Sequence, residues 1–119
     1  MGPQNNGGKI INISSVAAKY GGSERSLHYG AAKAALEAET IGLARAGAKC
    51  GILVNAIRGG FIDTPFHQKL GPKNIEERVQ LIPLKRAGQP KDVASMALFL
   101  ASEGGDFITG EILAVTGGD

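Results

Sequence analysis

The amino-acid sequence predicts an α/β fold in which a parallel sheet is covered by helices on both faces. Residues 9–14, 50–57 and 111–118 contain short apolar segments with branched side chains, as buried strands do. Helical patterns separate these segments, at about residues 26–46 and from residue 90 onward. Strands that alternate with helices pair in parallel, and near-continuous apolar strands fit a sheet that is buried on both faces.

The first strand and the first helix follow from local composition. KIINIS, residues 9–14, is short and apolar, and glycines precede it. Residues 26–46 are rich in alanine, leucine and glutamate and contain no proline, so they predict a helix with small residues on most faces. CGILVNAI, residues 50–57, predicts the second strand, and Gly59 and Gly60 are expected to end it.

The rest of the chain predicts a long connection, a helix and a closing strand. Residues 61–89 form an irregular stretch with a short helix near residues 74–81. Pro90 suits the first turn of a helix whose amphipathic part covers residues 92–101, and EILAVTGG predicts the last strand. Ligands of such sheets bind outside the carboxyl ends of the strands, which is where Ser14, Ser15 and residues 59–64 fall.

Length, composition and charge limit the function. A chain of 119 residues makes one small domain, and 43% apolar and 20% charged residues are ordinary for a soluble protein. The net charge of +2 is mild and no basic block occurs, which argues against nucleic acid or a membrane as partner. Cys50 is the one cysteine, so no disulfide forms within the chain and a cytoplasmic location is expected. His28, His67 and Cys50 lack the spacing of zinc ligands.

Ser15, Tyr29 and Lys33 form the candidate catalytic set. Tyr29 and Lys33 are four residues apart and share one helix face, where the ammonium group favours the phenolate form of the tyrosine. Such a phenol can pass a proton to or from an alcohol or carbonyl oxygen, and a serine hydroxyl at the strand end can hydrogen-bond the same oxygen. Each motif alone is common in unrelated chains. The two together, at a strand end and a helix start, indicate hydride-transfer chemistry.

Several ordered motifs identify the chain as similar to the short-chain dehydrogenase/reductase family, of the single-domain type. GGKIINISSVAA resembles the family's fifth strand with its catalytic serine, and YGAAKAAL resembles its Tyr-x-x-x-Lys helix. ILVNAIRGGFIDTPF resembles the sixth strand and the loop that meets the nicotinamide, and the segment from IPLKRAGQP to VTGG resembles the closing part. The resemblance covers residues 7–118, and MGPQNN, residues 1–6, resembles the loop before the fifth strand.

The resemblance implies a role for each matching residue. Ser15 would orient the substrate oxygen, Tyr29 would donate or accept the proton, and Lys33 would hold the nicotinamide ribose and promote the phenolate. Tyr29 and Lys33 would thus bind the cofactor as well as act in catalysis. Backbone groups of Ile62 and the hydroxyl of Thr64 would bind the nicotinamide carboxamide. The implied cofactor is NAD or NADP, and nothing in this chain distinguishes the two.

The chain departs from the family pattern in two places. Gly59-Gly60 replaces the usual Pro-Gly after the sixth strand; Gly60 belongs to the cofactor-binding loop, which glycine at residue 59 would leave looser. The glycine-rich turn that holds the pyrophosphate is absent, because no Gly-x-Gly occurs in the chain. Residues 1–119 would therefore form the second half of a doubly wound Rossmann-type sheet, and we expect the chain to be a fragment of a longer enzyme.

Functions of three classes stay open at this point. The first is an NAD(P)-dependent oxidoreductase that acts on a hydroxyl or carbonyl group. The second is a non-catalytic binding or assembly module, because the cofactor half is missing. The third is the epimerase and dehydratase branch of the same superfamily, although a chain that closes on ITGEILAVTGGD fits the single-domain type better. The substrate is expected to be a small alcohol or carbonyl compound, whether a sugar alcohol, a steroid or an acyl thioester.

Four expectations concern packing and assembly. Asn55 is expected to hold a loop, and Met96, Phe99 and Leu100 are expected to lie in the core. The outer edge of the first strand, at residues 10–13, should stay open unless another half or a second copy covers it. The small residues of helix 29–46 permit close helix approach, and the family resemblance implies a homo-oligomer, a dimer or a tetramer, through that helix.

Overall fold

The computed structural model describes residues 7–24 and 26–119, with the side chain of Phe66 excepted. Residues 1–6, which the sequence assigns to the loop before the first strand, lie outside the described residues. The strands are β1 (Gly8–Ser15), β2 (Ile52–Gly59) and β3 (Ile112–Val115). The helices are α1 (Ala17–Tyr20), α2 (Leu27–Gly47), α3 (Pro65–Gln68), α4 (Pro72–Gln80) and α5 (Pro90–Ala101), and single 3₁₀ turns cover Ala48–Cys50 and Glu103–Gly105.

The three strands form one parallel sheet in the order β1-β2-β3. Ser15 pairs with Gly59, and Gly59 pairs in turn with Val115, so the carboxyl ends of all three strands lie side by side. The strand order and the parallel pairing confirm the predicted α/β class. They also bring the segments that follow the strands to one edge of the sheet, where parallel sheets bind their ligands.

Helices α2 and α5 lie on opposite faces of this sheet. Arg58 of β2 bonds to Glu37 of α2, whereas a Cβ built on the next residue, Gly59, would meet Val93 of α5 at 3.8 Å. Successive residues of a strand point to opposite faces, so the two contacts place the two helices on different sides. The prediction of helices on both faces is confirmed.

The core lies between the central strand and its covering helices. Val54, Ile57, Ile82 and Leu100 are each 1% exposed or less. Burying a side chain of this size stabilises the fold by about 1.5–3 kcal/mol. The prediction of a core position is confirmed for Leu100 but is wrong for Phe99, which is half-exposed and packs on Gly104 instead.

Asn55 is a buried polar residue that joins β2 to the loop before β3. Its Nδ2 donates to the carbonyl oxygen of Ile108 at 2.9 Å, and its Oδ1 accepts from the amide of Glu111 at 3.0 Å. Both ends of the side-chain amide are therefore satisfied inside the protein, as a buried amide requires. The expectation that Asn55 holds a loop is confirmed.

Several boundaries differ from those expected. Cys50 lies in a 3₁₀ turn, so β2 begins at Ile52, and it continues through Gly59 because β3 pairs with it there. Helix α4 begins at Pro72, two residues before the predicted position, since a proline at the first helical position needs no partner for its nitrogen. Helices α1 and α3 have four residues each, which is too short for a periodic pattern.

The outer edge of β1 has no partner strand among the described residues. Ile10 and Ile13 of this strand are 42% and 50% exposed, on alternate faces of the sheet. An eight-residue edge with exposed isoleucines is a surface on which another strand can pair.

Candidate active site

A cavity of about 990 Å³ opens at the carboxyl ends of the strands, and Ser15, Tyr29 and Gly60 all line it. These residues belong to the end of β1, the start of α2 and the end of β2. We call it the Ser15–Tyr29 cavity. Three of the residues predicted for catalysis and cofactor binding therefore share one concave surface, although the sequence separates them by up to 45 positions.

Ser15 is fixed by the turn that begins helix α1. Its Oγ accepts a hydrogen bond from the amide of Ala17 at 3.1 Å. The amide of Val16 donates to the carbonyl oxygen of Gly59 at 2.8 Å, so the backbone next to Ser15 is tied to the central strand. A serine oxygen that accepts one bond still has its own hydrogen to donate. Ser15 can therefore donate a hydrogen bond to a ligand oxygen in the cavity.

Tyr29 and Lys33 stand on the first two turns of α2. The Nζ of Lys33 lies 5.6 Å from the centroid of the Tyr29 ring and donates to the carbonyl oxygen of Ile13 at 3.0 Å. The ammonium group is thus held between the phenol ring and the strand that carries Ser15. It retains two further hydrogens for a ligand, because an ammonium has three donors.

Gly30 brings the start of α2 against the loop that forms one wall of the cavity. A Cβ built at Gly30 would lie 2.4 Å from the carbonyl carbon of Gly21 and 2.5 Å from the amide nitrogen of Gly22. Gly21 and Gly22 have φ angles of 81° and 79°, which only glycine adopts readily. The three glycines together set the distance between Tyr29 and this wall.

A buried ion pair lies beneath the site. Ser14 donates to Glu37 Oε2 at 2.7 Å, and Arg58 reaches both oxygens of the same carboxylate. The guanidinium of Arg58 holds the pKa of Glu37 below its usual range, burial partly opposes this, and the hydrogen bond from Ser14 adds to it. Glu37 therefore carries its charge at neutral pH and links α2, one turn after Lys33, to the ends of β1 and β2.

Gly60 is required by a close approach of β3. Its amide donates to the carbonyl oxygen of Val115 at 3.0 Å, and a Cβ at residue 60 would lie 2.8 Å from the Cα of Thr116. At Gly59, by contrast, a Cβ would meet only atoms at 3.8 Å and beyond. Of the two glycines that stand in place of Pro-Gly, Gly59 thus has room for a Cβ and Gly60 does not.

Ile62 and Thr64, predicted to hold the cofactor, are not among the residues that line the Ser15–Tyr29 cavity. The side chain of Ile62 lines a second cavity of about 470 Å³ on the α5 side of the sheet, together with Asp92 and Met96. The backbone of Ile62 turns the other way: its carbonyl oxygen lies 2.6 Å from Nδ1 of His67. A carbonyl oxygen only accepts, so this nitrogen carries the hydrogen.

His67 and Arg78 line the Ser15–Tyr29 cavity and were not predicted as site residues. The amide of His67 donates to Thr64 Oγ1 at 3.4 Å, and its ring packs on Phe61 with 4.7 Å between centroids. The sequence offers one signal for His67, a position three residues after Thr64 in a segment assigned to cofactor binding. It offers none for Arg78, because its place depends on how the long connection folds back.

Two other kinds of site were sought in the described part of the chain. It contains no group of three or more histidine, cysteine, aspartate or glutamate side chains that could hold a metal ion. None of its helices has the length and apolar character to cross a membrane.

Comparison with known proteins gives close sequence relatives. A family model described as enoyl-(acyl carrier protein) reductase matches residues 3–119. Over 111 residues the chain is 40% identical to 3-oxoacyl-(acyl-carrier-protein) reductase of Thermotoga maritima, covering 93% of this chain and 45% of that protein. Over 111 residues it is 41% identical to (3R)-3-hydroxyacyl-CoA dehydrogenase of Homo sapiens, covering 93% of this chain and 42% of that protein. The chain thus spans less than half the length of these relatives.

Solved structures give the same picture. The fold superimposes with a TM-score of 0.84 and 40% identity on a blue fluorescent protein from a metagenomic library in complex with NADPH, covering 92% of this chain and 44% of that one. It superimposes equally well, with a TM-score of 0.84 and 38% identity, on a short-chain dehydrogenase/reductase of the glucose/ribitol dehydrogenase kind from Brucella melitensis, with the same coverage. The parallel sheet, the order of the motifs and these matches show that this chain belongs to the short-chain dehydrogenase/reductase family.

Proposed function

We propose that this chain supplies the catalytic half of an NAD(P)-dependent oxidoreductase that transfers hydride to or from a hydroxyl or carbonyl substrate. The observation that carries the proposal is the shared cavity: Ser15 and Tyr29 line it together, and the ammonium of Lys33 lies 5.6 Å from the centroid of the Tyr29 ring. Residues 1–119 form the second half of a Rossmann-type domain in this proposal. The named activities of the relatives, reduction of 3-oxoacyl carriers and oxidation of 3-hydroxyacyl-CoA, belong to the same reaction class.

In this proposal the chain's own residues handle the substrate oxygen. Ser15 donates a hydrogen bond to that oxygen and fixes its position. Tyr29 gives the oxygen its proton during reduction and takes it back during oxidation. The ammonium of Lys33 lies 5.6 Å from the ring centroid of Tyr29, so a positive charge stands beside the phenol during the proton transfer. General acid–base catalysis of this kind contributes about 10²–10⁴-fold to a rate.

The groups proposed for the nicotinamide end of the cofactor come from α2 and from the loop after β2. Lys33 has donors left for a ribose hydroxyl, and the Thr64 hydroxyl and the Ile62 amide, on the loop that continues from Phe61 of the cavity wall, are proposed for the carboxamide. When bound, the cofactor supplies or accepts the hydride. NAD and NADP stay equivalent for this chain, although a solved relative holds NADPH. The adenosine and pyrophosphate would bind elsewhere, because the chain has no Gly-x-Gly turn.

The exposed face of α2 supports the proposal of a homo-oligomer. Ala35, Ala38 and Gly42 form an exposed stripe of small residues, and Ile41 and Leu43, which are 43% and 41% exposed, flank this stripe on its two sides. Small residues let two helices approach closely, and the exposed isoleucine and leucine would be buried between copies. A charged side chain at residue 35, as in Ala35→Arg, should then shift the sedimentation coefficient to that of a smaller species.

The proposed location of the protein is the cytoplasm.

Substitution of Tyr29 tests the function, with Tyr20 as the matched control. Both phenols line the Ser15–Tyr29 cavity, and Tyr20 has no assigned part in the reaction. In the whole protein that carries this chain, Tyr29→Phe should lower kcat about 10²–10⁴-fold while the Kd for NAD(P)H stays within a few-fold. Tyr20→Phe should keep kcat within a few-fold. Full turnover by Tyr29→Phe in a steady-state assay with NADH, NADPH and 3-oxo substrates would remove Tyr29 from the mechanism.

A further inference from the structure

One wall of the Ser15–Tyr29 cavity comes from the segment between β2 and α5, and it includes the side chain of Arg78. Phe61, His67, Leu70 and Arg78 of this segment line the cavity. No aspartate or glutamate is among the described residues that line it. The nearby loop contains Glu24, which is exposed and does not line the cavity. A ligand in this cavity thus meets a guanidinium and no carboxylate on the walls themselves.

Arg78 is oriented by contacts on two sides. Its guanidinium carbon lies 5.5 Å from the centroid of the Phe61 ring, and its Nη2 donates to Oδ2 of Asp119. The side chain is 30% exposed, so most of it is covered by protein. A guanidinium has five donor hydrogens, and the single hydrogen bond that it makes within the described residues leaves four of them for a ligand.

The ion pair with Asp119 shows that Arg78 can bind a carboxylate. The carboxylate of Asp119 is 12% exposed, and Lys19 donates to the backbone carbonyl oxygen of the same residue at 3.3 Å. Asp119 does not line the cavity, so it reaches Arg78 from behind the wall. A guanidinium that already binds one carboxylate on one edge can bind a second on its other edge, because its planar fork matches the two oxygens of a carboxylate.

We propose that Arg78 binds the carboxylate of the substrate, so that the preferred substrates are oxo or hydroxy acids. The inference rests on the proposed function, because it takes the Ser15–Tyr29 cavity as the place where the substrate's carbonyl or hydroxyl group reacts. Phe61 and Asp119 position the guanidinium, and His67, which packs on the same ring, closes this part of the wall. A neutral analogue of the same shape would lose the pair with Arg78 and bind more weakly.

Two 3-oxo compounds that differ in charge test this directly. Acetoacetate carries a carboxylate, and methyl acetoacetate is its neutral ester. In the whole protein that carries this chain, ligand-observed NMR titration should give a lower Kd for acetoacetate than for the ester. Arg78→Gln should raise the Kd for acetoacetate about tenfold to a hundredfold, and the ratio between the two compounds should fall toward one. Binding is measured without turnover, so the result does not depend on the proposed chemistry.

Two further variants keep the test decisive. Arg86→Gln removes an arginine that is largely exposed and lines the other cavity, so it should leave the ratio of the two Kd values unchanged. Arg78→Lys retains a positive charge but loses the planar fork, so it should weaken acetoacetate binding by a smaller factor and serves if Arg78→Gln does not fold. Equal affinity of the unaltered protein for the two compounds, or an equal loss for both in Arg78→Gln, overturns the inference. Loss of the proposed function shows separately, as full turnover by Tyr29→Phe.

Discussion

Arg58 of β2 donates two hydrogen bonds to the carboxylate of Glu37 of α2, from Nε to Oε2 at 3.0 Å and from Nη2 to Oε1 at 2.6 Å. The side chains are 24% and 10% exposed, so the pair is largely removed from water. Two-point arginine–carboxylate pairs fix geometry as well as charge. This pair therefore holds the helix that carries Tyr29 and Lys33 against the central strand of the sheet.

Removing one partner should be costly because the other stays behind unpaired. Glu37→Gln should lower the free energy of unfolding of the whole protein at neutral pH by about 2 kcal/mol, measured by denaturant titration. Glu39→Gln, on the exposed part of the same helix, is the matched control and should change it by less than about 0.5 kcal/mol. Equal effects of the two substitutions would show that the ion pair does not contribute to the free energy of unfolding.

The same pair predicts a dependence of stability on pH. The folded protein lowers the pKa of Glu37, mainly through Arg58, so the stabilisation is present above the ordinary pKa of 4.5 and is lost as the pH falls through the lower folded value. The stability difference between the unaltered protein and Glu37→Gln should therefore shrink below about pH 4.5. A difference that stays constant from about pH 7 down to about pH 3 would contradict this reading.

The two glycines after β2 should respond in opposite ways to a methyl group. Gly59→Ala should raise the free energy of unfolding by about 0.4–1 kcal/mol, because its φ is negative, its Cβ would make ordinary contacts and the unfolded chain loses freedom. Gly60→Ala should lower it by about 1–3 kcal/mol, because the new Cβ would press on the backbone of Thr116. Denaturant midpoints at an unchanged m-value give the comparison, and a shift of the same sign in both would refute it.

The connection between β2 and α5 should be the part of the ordered chain that opens most easily. Two backbone hydrogen bonds join its two ends: the amide of Gly88 donates to the carbonyl oxygen of Phe61 at 2.9 Å, and the amide of Asp63 donates to the carbonyl oxygen of Gly88 at 2.7 Å. Between these hydrogen bonds Leu70 and Leu81 are 46% and 72% exposed, and no residue of α4 is buried. The fully buried Ile82 follows α4, so it anchors the end of the segment but not the helix itself. Amide hydrogen exchange should be faster in α4 than in β2. Equal protection in both elements would contradict the expectation.

The 119-residue chain on its own should not bind NAD(P) at micromolar concentrations. It offers contacts for the nicotinamide end only, while the usual pyrophosphate site, a helix N-terminus after a glycine-rich turn, has no counterpart in the sequence. The exposed Ile10 and Ile13 should also drive the chain to self-associate. Calorimetry with NADH and NADPH on protein of verified mass is the measurement. Micromolar binding by a monodisperse monomer would show that the chain is self-sufficient.

The sequence predicts the fold well where periodicity and composition are strong. The three strands and the helices α2 and α5 lie within one or two residues of the predicted positions, apart from the ends of β2 and β3, because branched apolar runs and an alanine-rich segment each favour one structure. Strand β2 ends at Gly59, as the glycine pair predicts, but it runs two residues past Ile57 because β3 pairs with it at Gly59. That pairing is a tertiary effect, which local sequence does not encode.

The site is predicted only in part, for a related reason. Ser15 and Tyr29 stand at element ends, where topology alone brings them together, and both line the cavity. His67 and Arg78 lie in a connection whose path depends on packing against Phe61 and on the ion pair with Asp119. Ion pairs between residues 41 positions apart leave no periodic trace in a sequence.

The open edge of β1 has a consequence for recombination between family members. The strands pair in chain order, so the register of both strand pairs is set within residues 8–115. A recombination point just before Gly8 would therefore affect the pairing of one strand edge only, the outer edge of β1. A chimera joined there has to match its new neighbour along the backbone of β1 and around Ile10 and Ile13, whose side chains are exposed on opposite faces of the sheet. In the proposed function this chain is therefore a catalytic half that can be exchanged as one unit, and libraries that join different cofactor halves to it should vary the positions around Ile10 and Ile13 first.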